Sequence, residues 1–336
     1  MEHRESHLTH RQRSNEASLA WLLVCTVGAA LFAVMIATQG ALAQDIQDPS
    51  NGWFQKCGPV LDNPDTTPVE GTGEYDPIVF PNNPGPVGHR HLFFGATSIS
   101  PDISPDLFRT TLLDGGTTCR FKNGTDLAFD PPAGGNRSAY WVPDLKLSNG
   151  QWAGGKQLNA YYKKGASSVD ANDIVPYPDG LEMLIRDSTS PKASVKWYCS
   201  NTNGEGNNGN MQASPYNCNP SGTYPWVTAQ ITFPQCGATG ATDSEDHISH
   251  VVYPSSGGCP PDHPVVYPRL FVTVKYATSL GKGALLSAIE TDPDHADPAT
   301  NFHVDYFEAW QEGRLQFYID KCIKAGINCN SIPPTE

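Results

Sequence analysis

Six histidines fall in three tight groups: His89 and His91, then His247 and His250 with His263 close behind, then His303 two residues before Asp305. Imidazole changes charge near neutral pH and is the commonest metal ligand, so such grouping points to metal binding or proton transfer. His89 and His91 share one side if they lie on a strand, and both then reach one ion or one substrate. As a structural alternative, they are two hydrogen-bonded rings at a strand edge. The run Asp243-Ser244-Glu245-Asp246-His247-Ile248-Ser249-His250 packs three carboxylates and two imidazoles together. A carboxylate can orient a ligating imidazole through its second nitrogen. His247 and His250 share a side on a helical turn and oppose each other on a strand. Asp243 and Glu245 read better as a solvated acidic loop. His303 and Asp305 are at strand spacing and either act together or leave Asp305 to cap a following helix. The candidate catalytic set is therefore His89, His91, His247, His250, Asp246 and Asp305. The pool of metal ligands is His89, His91, His247, His250, His263 and His303, and three of these suffice for one divalent ion such as zinc. His295 lies in the polar run Asp292–Asp297 and reads as surface loop.

The elements that must position these groups are mostly short strands. Ala193–Tyr198, Trp226–Phe233, His250–Tyr253 and Leu270–Tyr276 are β-branched or aromatic and bounded by turn residues. Leu270, Val272, Val274 and Tyr276 would face one core. Leu181–Ile185 and Ala139–Leu145 are further strands. Leu315, Ile319, Cys322 and Ile323 recur at helical spacing with Gly326 as a stop, and Phe307–Trp310 adds a short turn before them. With 31 glycines and 29 prolines spread evenly, the chain reads as one mainly β domain. We expect a β-sandwich or jelly-roll with long loops and a C-terminal helix. Residues 1–43 form a signal peptide or N-terminal anchor, 44–74 an extension and 75–330 the domain.

Export follows from the N-terminus. Arg11 and Arg13 precede an apolar run from Leu19 to Ala37, and Ala41-Leu42-Ala43 supplies small residues before Gln44. That order is a secretory signal; its length leaves an uncleaved membrane anchor as the alternative. If cleavage leaves Gln44 first, a copper brace built on an N-terminal histidine is disfavoured. Past the signal remain Cys57, Cys119, Cys199, Cys218, Cys236, Cys259, Cys322 and Cys329, an even set with no C-x-x-C pair, which reads as disulfides. Short loops favour Cys199–Cys218, Cys236–Cys259 and Cys322–Cys329, leaving Cys57–Cys119. Bridging Cys236 to Cys259 would close the loop that bears His247 and His250 and bring the stiff Cys259–Pro264 segment, with His263, beside it. The formal charge of -13 disfavours nucleic acid and anionic polymers. No G-x-S-x-G, H-E-x-x-H, Walker or dinucleotide glycine motif occurs. Asn123-Gly-Thr125 and Asn136-Arg-Ser138 fit glycosylation sequons. Tyr140-Trp141, Trp152, Tyr161-Tyr162 and Trp226 are rings that stack on sugars where exposed and fill a core where buried.

These stretches also carry a resemblance. Asp76-Pro77-Ile78-Val79, Gly88-His89-Arg90-His91-Leu92-Phe93-Phe94-Gly95, Gly116–Cys119, Ser138–Pro143, Phe233–Cys236, Asp246–His250, Cys259–Pro264 and His303–Trp310 follow in order, so the chain resembles the DUF1996 family of secreted bacterial and fungal proteins. The resemblance runs from about Asp76 onward. It implies an exported single domain in which the histidine groups are family features, and it implies no reaction. Related sequences often place an acidic residue after the second histidine of H-x-H. Leu92 stands there in this chain, so an acidic partner must come from Asp76, Asp246 or Asp305. The leading expectation is an extracellular enzyme, a metal-dependent or histidine acid–base hydrolase or lyase, on a glycan or cell-wall polymer. The alternatives are a non-catalytic carbohydrate-binding surface module and a disulfide-stapled structural protein. The expected partner is extracellular polysaccharide, with a membrane only through an uncleaved N-terminus.

Overall fold

The computed structural model describes residues 51–60, 72–83, 89–121, 135–186, 195–201, 207–287 and 296–329. The signal segment, Asn123 and His295 lie outside these residues. In chain order the strands are β1 (Gly52–Cys57), β2 (Thr72–Gly73), β3 (His91–Gly95), β4 (Cys119–Arg120), β5 (Ala139–Pro143), β6 (Leu145–Lys146), β7 (Gly155–Lys163), β8 (Glu182–Arg186), β9 (Lys196–Ser200), β10 (Trp226–Thr232), β11 (Cys236–Gly237), β12 (Val251–Val252), β13 (Val265–Val266), β14 (Arg269–Tyr276), β15 (Leu285–Leu286) and β16 (His303–Phe307). A helix, α1, covers Pro105–Asp114, and α2, Arg314–Tyr318, continues as a π-helical stretch over Ile319–Lys324.

Two antiparallel sheets form a sandwich: a six-stranded one in the order β4-β1-β7-β14-β10-β9 and a five-stranded one in the order β2-β3-β5-β16-β8. The period of two decides what lies between them. Leu270, Val272, Val274 and Tyr276 all face inward, beside Leu158, Ala160 and Tyr162 of β7. From the other sheet Leu92, Phe94, Tyr140, Val142, Val304, Tyr306, Met183 and Ile185 enter the same core. Their register pairs Leu92 with Val142, Tyr306 with Tyr140 and Val304 with Ile185, so all eight lie on one face. The opposite face must then carry His91, Phe93, Trp141, His303, Asp305 and Leu184. Part of it is covered by α1, whose Phe108 and Leu112 pack with Phe93, Trp141 and Phe307 in a second, smaller core. The rest positions the histidines.

Four disulfides join Cys57–Cys119, Cys199–Cys218, Cys236–Cys259 and Cys322–Cys329. The terminal helix buries Leu315, Ile319, Cys322 and Ile323 and ends at Gly326, whose positive φ relieves the chain reversal. One expectation is corrected. Phe307 ends a strand and starts no turn, because it pairs with both Ala139 and Glu182. Within the 44–74 segment, β1 pairs with β7 along its whole length, so that part belongs to the sandwich. Asn136 is fully buried and its amide donates to Gln55 Oε1 at 2.6 Å. An oligosaccharide there would displace core, so intact-mass analysis from a glycosylating host should find no glycan on Asn136, in the native protein or after peptide mapping.

Candidate metal centre

Three of the expected histidines meet. β3 begins at His91 and β16 at His303, and the pairing of Asp305 with Trp141 sets His303 level with Pro143, between His91 and itself. Proline offers only a low ring at that point, so the two imidazoles close over it. His303 Nε2 lies 3.2 Å from His91 Nε2 and 3.1 Å from His89 Nε2. The His89 and His91 ring centroids are 4.3 Å apart.

The far nitrogens decide what these Nε2 atoms present. His91 Nδ1 donates to the Tyr75 carbonyl at 3.0 Å, and His303 Nδ1 to the Asn301 carbonyl at 3.1 Å. A carbonyl only accepts, so in the neutral rings both Nε2 atoms carry lone pairs. Burial pushes the His91 pKa well below its ordinary value, with the charges of His89 and His303 adding to it, so the ring is neutral at pH 7. Two facing lone pairs repel, and a cation between them removes the repulsion. A backbone carbonyl holding the second nitrogen is also how ligating histidines are oriented.

Between His89 and His91, Arg90 points away and anchors the segment. Its Nε donates to the buried Asp144 carboxylate at 2.8 Å, its guanidinium lies 5.2 Å from the Trp152 ring, and its backbone N–H donates to Ser287. The Asp144 amide in turn donates to the Arg90 carbonyl.

Two carboxylates adjoin the triad. Asp76, His91 and Asp305 bring potential ligand atoms within 4.8 Å of one another, as do His89, His91 and His303. Asp305 is no helix cap: it lies in mid-strand opposite Trp141 and Leu184 and is fully buried. Burial, then the neighbouring Asp76, pushes its pKa well up, against the pull of Arg186. Asp76 is raised by burial too, although it accepts the amides of Ile78 and Val79 at 3.1 Å each.

The remaining histidines lie outside the triad, with His247 near enough to Asp76 to act on its charge. His247, in a left-handed conformation at φ 56°, pairs with Asp243 at 3.0 Å. Together with Glu182 they form a separate group on the edge strand β8, held there because the Glu182 amide donates to Thr242. Asp243 is exposed in its loop, as expected, and also belongs to this cluster. His250 has both nitrogens occupied: Nδ1 by Ser244 at 2.8 Å and Nε2 by the Glu182 carbonyl at 2.6 Å. It ties the loop to β8. His263 Nε2 donates to the Ser249 carbonyl at 2.8 Å, with Asp262 at 3.3 Å from its other nitrogen. Asp246 is exposed and accepts the Ile248 and Ser249 amides, which makes it a turn-former, and those bonds hold its pKa well down. Glu182 was missed by the sequence reading, though the strand predicted over 181–185 contains it.

The Glu182 pKa is pushed up to about 8, mainly by burial, then by Asp243 and Asp76. An acid raised on folding holds its proton longer in the native state. Its contribution to stability is full below the unfolded value and falls as pH rises towards 8. Thermal melts of the apo protein between pH 5 and pH 9 should show that decline, and Glu182→Gln should flatten it.

A model of the domain of unknown function DUF1996 matches residues 76–310. The chain belongs to the DUF1996 family. Comparison with curated proteins and with solved structures found no significant match. Within the DUF1996 match fall His89, His91, His303, Asp76 and Asp305, whereas β1 and α2 lie outside it.

Proposed function

We propose that this DUF1996 protein is an exported metalloprotein whose His89, His91 and His303 hold one divalent transition ion, and that the centre serves hydrolysis of an extracellular glycan or cell-wall polymer. The observation that carries the metal reading is the convergence of three Nε2 atoms within about the span of one coordination sphere, with two of the rings locked at Nδ1 by carbonyls. Three imidazoles leave a further position open, and an ion there would supply Lewis acidity towards water or a substrate oxygen. His89 and His303 are partly exposed, which gives access, while His91 closes the floor. Export is supported by the four disulfides and by the signal-like N-terminus; no helix among the described residues is long and apolar enough to cross a membrane. Of the rings that could stack on sugars, Tyr140, Trp141 and Tyr162 are wholly buried while Trp152 is 37% exposed, so the hydrolytic reading rests on the histidine geometry and not on the rings.

Elemental analysis of protein purified without chelator, followed by a screen against cell-wall and plant or fungal polysaccharides, tests both halves. The expected result is about one zinc-group ion per chain, and product release that a chelator stops and added ion restores. A chain that takes up no ion at neutral pH defeats the metal reading. An ion-loaded chain that cleaves no glycan defeats the substrate reading alone.

A further inference from the structure

Beside the triad lies a second set of groups that one transition ion does not use. Asp305 is fully buried and neither of its carboxylate oxygens has a hydrogen-bond partner. Asp76, also buried, keeps its ligand oxygen within 4.8 Å of that of Asp305. The Trp141 indole N–H lies against Asp76 without reaching full hydrogen-bond geometry. Glu182 is near enough to Asp76 to feel its charge. A buried carboxylate with no donor is costly, and two side by side are costlier, unless a cation lies between them. Arg186 is near enough to act on the charge of Asp305, yet neither carboxylate oxygen of Asp305 accepts a hydrogen bond.

We infer that Asp76 and Asp305 form a second cation site, for a hard divalent ion, next to the three-histidine centre. It rests on the proposed triad in one respect. His91 is common to both groups, but its Nδ1 is committed to Tyr75 and its Nε2 to the triad, and one nitrogen serves one ion. The second position is therefore left to carboxylate oxygens, which select magnesium, calcium or manganese over zinc. The two centres would then differ in ligand softness, so they can be loaded separately. Two ions set side by side are a common arrangement for stabilising both the attacking and the leaving oxygen of a hydrolytic step.

The test uses the full chain, stripped with chelator, loaded with zinc and then titrated with manganese. Manganese is read by its paramagnetic resonance signal and both metals by elemental analysis. The expected result is one zinc and one manganese per chain. Asp305→Asn and Asp76→Asn should each weaken manganese binding by about 100-fold or more while zinc is retained. Should a variant fail to fold, manganese-edge anomalous diffraction on the wild-type protein gives the same answer, with a peak expected between the two carboxylates. Absence of bound manganese in the wild type, a peak elsewhere, or unchanged affinity in both variants overturns the second site. Loss of zinc binding with manganese retained overturns the triad and leaves this site standing.

Discussion

Replacing His303 with alanine should lower zinc affinity by on the order of 100-fold or more, the largest functional loss of any single change in this protein. His303 is the hub: its Nε2 is the one atom close to both other Nε2 atoms, at 3.1 and 3.2 Å. Its ring is partly exposed, so truncation costs little packing. Isothermal titration should show the loss with the melting temperature of the apo protein nearly unchanged. His91→Ala removes the same ligand function but also empties a fully buried position, so it should lose both affinity and stability. His250→Ala makes the opposite control. It breaks two hydrogen bonds that fix the loop to β8, so it should destabilise by about 1–3 kcal/mol through the buried groups left unpaired, and leave zinc affinity within a few-fold. Equal loss of zinc in His250→Ala and His303→Ala would contradict the division of roles between them.

Removing the Cys57–Cys119 bridge should have the largest effect on stability among the four. It spans 62 residues, against 19, 23 and 7 for the others. On the chain-entropy account a loop of that length constrains the unfolded state by about 4 kcal/mol, and the shortest by about 2–3 kcal/mol. At roughly 2 °C per kcal/mol for a domain of this size, the Cys57→Ser/Cys119→Ser pair should melt about 8 °C lower. The bridge also fastens β4 to β1 at the edge of the larger sheet, where Cys57 and Cys119 are direct partners in register. Differential scanning calorimetry of the four double variants gives the ranking. A smaller loss for the Cys57–Cys119 pair than for Cys322–Cys329 would show that the entropic term is not the main one.

Much of the fold is legible in the chain because its signals are local. Leu270–Tyr276 alternates cleanly, and it became the strand whose four inward residues anchor the core. The disulfide pairing followed from proximity in sequence, since short loops close at least entropic cost. β1 and β7 were illegible for the same kind of reason. Their inward residues include Gln55, and their outward ones Lys56, Gln157 and Asn159, so the hydrophobic contrast that marks a strand is blurred. Gln55 is tolerated inside because Asn136 bonds it there. The helix α1 was missed because its buried face is narrow, with only Phe108 and Leu112 fully covered.

The site divides along the same line. H-x-H and H-x-D announce themselves by spacing, and strand periodicity alone puts each pair on one face. Which groups meet depends on register between strands far apart in sequence, and nothing in the chain states it. His247 and His250 share a motif with the triad in composition only. Their loop is laid along β8, where the Glu182 carbonyl and Ser244 take up His250 and leave it no free nitrogen. Asp76 and Asp305 were among the acidic partners expected for the histidine pair, whereas Asp246, the third, spends its oxygens on its own turn.

The most direct measurement is anomalous diffraction at the zinc edge from crystals of zinc-loaded protein. We expect a single dominant peak at bonding distance, about 2.0–2.1 Å, from the Nε2 atoms of His89, His91 and His303. A peak on the His247–Asp243 loop instead, or three rings that stay hydrogen-bonded to one another with no ion among them, would contradict the assignment.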